Sequence, residues 1–274
     1  MEKVARKRMN RLVNFYHERE HYLLGWGFIF ILVLAWEAIP RVVVLPRGLT
    51  LFFTTPTRVI EAFCELIVQN KIQHHFYVSS IEFLLGLALA VAVGLPVGLV
   101  TGRSRTVDAM VDPYVTVLNA TPRLIFLPLF ILWFGIGMWS KVMIVFIGAV
   151  FPLLINTHEG VKNVDRVLVD VVRSFGANEW QIMKTVVLPN SVPYIVAGLR
   201  LAIGRAILGV VVGEFFGASE GLGYMIASAA TNYKVDVVFV GVAIFMGLSL
   251  VLTMLVKRIE TNLSRWRPEE IKTF

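Results

Sequence analysis

Charge is scarce in this chain. Only 16% of its 274 residues are Asp, Glu, Lys or Arg, against about 25% in an ordinary soluble domain, while 57% are apolar and the mean hydropathy is +0.72. That balance excludes a water-exposed globular fold. Cysteine occurs once, at Cys64, which excludes an internal disulfide and a Cys-based metal cluster and leaves the redox compartment open. Nucleotide and catalytic motifs are missing too. The nearest approach to G-x-x-x-x-G-K-[ST] is GIGMWSK at Gly135 to Lys141, which has Ser140 at the second Gly position and no hydroxyl residue after the Lys. His17, His21, His74, His75 and His158 form no H-E-x-x-H pair, and adjacent His74 and His75 cannot share a helix face. Without a G-x-S-x-G elbow either, a metabolic enzyme is disfavoured. Solenoid repeats, low-complexity tracts and a separate soluble domain are also absent.

What the sequence holds in quantity is long apolar runs. A helix needs roughly 20 mainly apolar residues to cross a bilayer core of about 30 Å. Six segments qualify: Tyr22 to Ile39, Val78 to Thr101, Asp112 to Phe134, Lys141 to Thr157, Ser191 to Phe216 and Val235 to Val256. The first is not followed by a small-residue cleavage site and is read as an uncleaved span. Pro113, Pro122 and Pro128 predict a kinked, protein-facing third span. The expected organisation is a segment over 1–21, a six-span domain over 22–256 with a long loop at 162–189, and a tail over 257–274. The net charge of +7 reflects Lys and Arg at span ends, so nucleic acid is not an expected partner. With the N-terminus inside, 17 Lys and Arg fall on the cytoplasmic side and six on the other, Lys141 among the six. Both termini and the 162–189 loop are then cytoplasmic. Outside, Thr57 to Gln69 reads as an interfacial amphipathic helix and Gly217 to Tyr233 as holding a short one.

Two features concern packing and charge. Gly86, Ala90, Gly94, Gly98 and Gly102 recur every four residues on the second span, and Gly209, Gly213 and Gly217 on the fifth, the spacing that lets helix backbones approach closely in lipid. Whether these stripes meet within one chain or between two is open at this level. Glu37, Glu82, Arg123, Arg200, Arg205 and Glu214 fall in or near apolar segments, where a central charge costs about 2.5–3.5 kcal/mol. Arg205, about 23 Å along a helix from Pro189, reaches mid-membrane. Arg123, Arg205 and Glu214 are the candidates for a translocation path or gate; for Arg205 the competing role is an ion pair with Glu214 or Glu82. Glu37 and Arg200 read as structural.

The loop carries the strongest local signals. Val164 to Phe175 predicts one helix, Gly176 its left-handed C′ residue, and Asn178 with Gln181 a capping box that opens a second helix over Glu179 to Val187, which Pro189 stops. Phe175, Trp180, Ile182 and Met183 exceed what such a loop needs to bury, so a protein partner is expected on it.

These residues resemble a known family. The string D-V-V-x-x-x-G, then nine residues and V-x-L-P, from Asp170 to Pro189, resembles the EAA loop of binding-protein-dependent ABC importer permeases, with Asp170, Val171 and Val172 in place of Glu-Ala-Ala. LPLFILWFGIG (Leu127 to Gly137), FPLLINTHEGV (Phe151 to Val161), LPNSVPYIVAGLRLAIGRA (Leu188 to Ala206) and GEFFGASEGLGYMI (Gly213 to Ile226) are similar to the nitrate, sulfonate and taurine subfamily. The resemblance implies an all-α integral membrane protein of the type I importer permease fold, with six spans and a coupling helix in the cytoplasmic loop. Asp170, Val171, Val172, Ser174, Phe175, Gly176, Asn178, Glu179, Trp180, Met183, Leu188 and Pro189 would make up the ATPase-coupling loop. It implies a second permease copy, two ABC ATPase subunits that bind ATP and Mg, and an extracytoplasmic solute-binding protein as partners. The location is then the bacterial cytoplasmic membrane, and this chain itself has no catalytic residue, cofactor or metal. Function would be import of a small anionic solute of the sulfonate, taurine, nitrate or organic-acid class. An ion-gradient-driven transporter or channel, a membrane scaffold, and a permease for a neutral or cationic vitamin precursor stay open as alternatives.

Overall fold

The computed structural model describes residues 24–42, 46 and 52–263. The segment expected over 1–21, the start of the first span at Tyr22 and the tail beyond 263 lie outside the described residues. Among the described residues there is no strand; every regular element is helical. The elements are α1 (Leu24–Val42), α2 (Pro56–Val68), α3 (Lys71–Arg103), α4 (Arg105–Ala120), a 3₁₀ turn (Arg123–Ile125), α5 (Phe126–Phe134), α6 (Met138–Lys162), α7 (Arg166–Ser174), α8 (Glu179–Ile182), a π turn (Met183–Val187), α9 (Leu188–Gly217), α10 (Leu222–Thr231) and α11 (Val235–Leu263). Five helices are long and apolar enough to cross a membrane, counting α8, the π turn and α9 as one; the bent pair of α4 with the 3₁₀ turn and α5 makes a sixth if taken as one span.

That third segment differs from the expectation in degree. The two halves meet at 89°, so the chain breaks there rather than bends. Pro122 has no amide hydrogen to extend α4 and, with ψ of Thr121 at 130°, closes the helix one residue earlier. The segment is protein-facing only in part: α5 buries Leu127 and Phe130 against Ile144, whereas α4 buries nothing in this chain.

The chain divides into two compact units. In one, which takes the described residues up to Glu65 with Ala229–Val240, the Trp36 indole donates to the Thr54 carbonyl at 2.9 Å and packs against Phe239 with ring centroids 5.0 Å apart and planes tilted by 42°. Glu37 there accepts from the Thr57 amide and hydroxyl and pairs with Arg41, which settles this charge as structural. α2 forms as expected, with Ile60, Phe63 and Ile67 exposed on its apolar side.

The other unit, Leu66–Ser228 with the chain from Gly241 onward, is built around α6. The most apolar stretch of α6 is 67% buried, against 11% for α11, so α6 is its central helix. The reason lies in the glycines of its neighbours. A Cβ added at Gly94 would stand 2.9 Å from the Val150 carbonyl oxygen, at Gly98 2.7 Å from that of Leu154, and at Gly102 2.7 Å from that of His158, all on α6. From the opposite side, a Cβ at Gly209 of α9 would meet the Val145 Cα at 2.9 Å. Both small-residue stripes are therefore used inside one chain, each laying its backbone against α6 rather than against the other, where direct van der Waals contact supplies the cohesion that hydrophobic exclusion cannot supply in lipid.

Candidate docking loop and membrane path

The loop between α6 and α9 is a short helical hairpin. Asp165 caps α7 by accepting from the Val167 amide at 2.8 Å, and the helix ends at Phe175 before Gly176, whose φ of +82° needs a residue without a side-chain clash. α8 opens with a full capping box: the Gln181 amide donates to Asn178 Oδ1 at 2.9 Å and the Asn178 amide to Gln181 Oε1 at 2.8 Å. Asp170 pairs with Arg173 at 3.3 Å, and the Ser174 hydroxyl donates to the Val171 carbonyl.

Pro189 does not stop this helix. α8 runs through the π turn into α9, so Glu179–Phe216 is one continuous 38-residue rod, about 57 Å long. The Leu188 amide bonds back to the Met183 carbonyl, five residues away, directly before Pro189. Side chains add bonds around the turn: Thr185 Oγ1 donates to the Gln181 carbonyl, Asn190 Nδ2 to that of Val186 and Ser191 Oγ to that of Val187.

The rod's base is fixed from within. Ile182 and Val187 are buried with Val161 of α6, and Val172 and Met183 pack against them. Ile182 and Met183 are thereby accounted for inside the chain, contrary to the expectation that they await a partner. Phe175 at 86% exposure and Trp180 at 74% are not, and Val171 and Leu188 are partly exposed beside them. Glu179, at the start of the rod, accepts from Arg103 at the end of α3 and from Arg173 of α7. These two guanidinium groups hold the Glu179 carboxyl below its ordinary range, Arg103 contributing most. Arg103 and Arg173 were missed in the sequence; the Arg103 contact closes over 76 residues, so nothing local could have pointed to it, whereas Arg173 lies only six residues from Glu179.

Within the spans the charges pair differently from the sequence expectation. Glu82 is fully buried and takes Lys141, itself buried rather than set at a wet boundary, as its ion-pair partner. Glu214, also fully buried, accepts from the Ser79 hydroxyl at 2.6 Å and the Gly223 amide at 2.6 Å, while Ser79 accepts from the Leu222 amide at 2.8 Å. Glu214 thus fastens the start of α10 to α3. Arg200 pairs with Glu260. Arg205 pairs with neither Glu214 nor Glu82; among the described residues neither Arg205 nor Arg123 has an acidic partner. Both flank Gly148 of α6, where an added Cβ would lie 3.1 Å from the Arg205 carbonyl oxygen and 3.8 Å from Arg123 Cδ.

Apolar helices long enough to cross a membrane, one of them continued as a rod into a helical hairpin with exposed Phe175 and Trp180, are the construction of a transporter's membrane subunit. The chain belongs to the family described as binding-protein-dependent transport system inner membrane component, whose model matches residues 94–265. It is an ABC importer permease subunit. It is similar to the aliphatic sulfonates transport permease protein SsuC of Bacillus subtilis, 37% identical over 213 residues that cover 78% of this chain and 77% of the relative. The taurine transport system permease protein TauC of Escherichia coli is 30% identical over 251 residues, 90% of each chain. In fold it resembles a chain of the inward-facing MetNI methionine ABC transporter, with a TM-score of 0.62 at 20% identity, covering 74% of this chain and 98% of that one.

Proposed function

We propose that this permease carries a small sulfonate-class anion into the cytoplasm, driven by separate ATPase subunits that dock on the 162–189 loop. The observation that carries the solute class is the pair Arg123 and Arg205. Two cations held near mid-membrane without carboxylate partners each cost about 2.5–3.5 kcal/mol, a cost relieved when an anion passes between them or water reaches them. Relatives named for aliphatic sulfonates and taurine support the same class. Leu201, Arg205 and Leu208 share an exposed face of α9, which a second copy of the chain would cover so that the arginines line a path between subunits. Phe175 and Trp180 supply the apolar contact for the ATPase, and the receptor protein delivers solute at the α10 end.

The test is uptake into proteoliposomes that contain the permease, its ATPase and its receptor. Vanadate-sensitive taurine or alkanesulfonate uptake is expected, abolished without the ATPase and lowered at least tenfold by Arg205→Ala at equal membrane abundance. Uptake that persists without the ATPase would identify a gradient-driven transporter instead. Unchanged uptake in Arg205→Ala would remove the path role.

A further inference from the structure

Against the 162–189 loop lies a cavity to which the transport reading assigns no ligand. It has a volume of about 340 Å³, within the range of small-molecule sites, and it opens between the ends of α3 and α6, the start of α4 and the inner side of α7. Its walls carry Arg103, Arg105, Lys162, Arg166 and Arg173, with Asp108 and Asp170 as the acidic residues. Both acids face other groups: Asp170 pairs with Arg173, and Asp108 lies 3.5 Å from the His158 ring. Arg103 and Arg173 already share Glu179. Arg105, Lys162 and Arg166 have no ion-pair partner among the described residues. The floor is apolar and closed, formed by buried Val161 and Val187 with the buried Thr101 beside them.

We propose that this basic cavity binds a phosphate group, and that its ordinary occupant is the headgroup of an anionic phospholipid. The proposal rests on the reading that the loop lies at the cytoplasmic face. Three observations converge. The cations come from four separate elements and point into one volume, so a single anion neutralises charges that otherwise repel. The cavity sits where helices α3, of 33 residues, and α6, of 25, run past a hydrocarbon core that needs only about 20, which is headgroup depth. Basic pockets between spans on the cytoplasmic side are suited to anionic headgroups, whereas a zwitterionic headgroup gains little there. An anion seated here would bridge α3, α4 and α6 to α7 and so brace the loop against the bundle.

Native mass spectrometry and thermal denaturation of the purified full chain test the idea, with phosphatidylglycerol, phosphatidylcholine or inorganic phosphate added to the delipidated protein. Saturable phosphatidylglycerol binding that raises the midpoint is expected, with phosphatidylcholine inert. Arg105→Gln with Arg166→Gln should weaken that binding roughly tenfold or more. Lys162→Gln is the milder second variant should the pair misfold. Stabilisation by inorganic phosphate, lost in the same variants, would keep the phosphate site and make its source a soluble anion. Equal binding of both lipids, insensitive to all three substitutions and without a phosphate effect, would overturn the proposal. None of these readouts involves uptake, ATPase or receptor, so failure here leaves the transport reading standing and failure of transport leaves this one.

Discussion

Replacing Gly98 with alanine tests the packing on which the whole larger unit depends. The new methyl would stand 2.7 Å from both the Leu154 carbonyl oxygen and the Thr157 Cβ. Optimal carbon contacts lie at about 3.5–4.0 Å, so α3 and α6 must part locally by about 1 Å, a gap that forfeits a quarter to a half of each dispersion contact it opens. Backbone oxygen cannot swing aside as a flexible side chain would, and Gly94 and Gly102 one turn away lose their close approach as well. Overpacking of this kind costs about 1–3 kcal/mol. At about 2–4 °C per kcal/mol, the thermal midpoint in detergent should fall by about 2–12 °C. The control is Gly247→Ala on α11, where an added Cβ meets nothing within 4 Å, and its shift should stay within about 0.5 kcal/mol. Should Gly98→Ala match Gly247→Ala, the stripe on α3 does not touch α6 and the arrangement of the central helix is wrong.

Three further outcomes are expected. Lys141→Met strands buried Glu82 and should destabilise by about 3–5 kcal/mol, while Lys141→Met with Glu82→Leu recovers most of it; an additive double variant in thermal denaturation would refute the pair. The Glu179 carboxyl is held below its ordinary 4.5, so the stability its contacts add is present above that value and lost as pH falls through the lowered one. Limited proteolysis of the loop should therefore be alike at about pH 7 and 5 and faster only below the ordinary carboxyl value of 4.5, whereas Glu179→Gln should be cut faster throughout; a change between pH 7 and 5 that depends on Glu179 would contradict this. Gly176→Ala forces a side chain into φ +82° at a cost of about 1–2 kcal/mol, and should weaken pull-down of the ATPase subunits, with Gly176→Asn affected less; equal recovery by both variants and the parent would remove the corner from the docking geometry.

Features written within a few residues were legible before any coordinates. The Gly176 corner, the Asn178 and Gln181 box and the short helix at Leu222 need only neighbours in sequence, and the small-residue stripes announce a close contact through their spacing. Which helix receives that contact is not written locally, and α6 has no stripe as regular to mark it as the receiver. Pro189 misled because a proline need not stop a span-forming helix: Pro96, Pro152 and Pro193 also lie inside continuous helices here. Lys141 misled differently. Its position at a span boundary fits a wet interface, and only the fold brings Glu82 to it. The same holds for Arg103 and Glu179, whose contact depends on α3 and the loop helix ending side by side.

The misread proline also changes how the loop and the path relate. Had the helix stopped at Pro189, a push at Trp180 would have to cross a joint before it reached a span. Instead Trp180 and Arg205 lie on one rod, about 38 Å apart along its axis. α6 packs against that rod near both ends, through Val161 at Ile182 and through Val145 at Gly209, so α9 cannot slide freely along it. A tilt of the rod is resisted least where carbonyls are already rearranged, at Met183–Val187, and there the Thr185, Asn190 and Ser191 side chains supply the extra bonds. The π turn is accordingly the place where stiffness is set. On the proposed docking role, bonds kept there would pass a movement of the loop to Arg205 as rigid rotation, and bonds lost there would turn the same movement into local bending that never reaches Arg205.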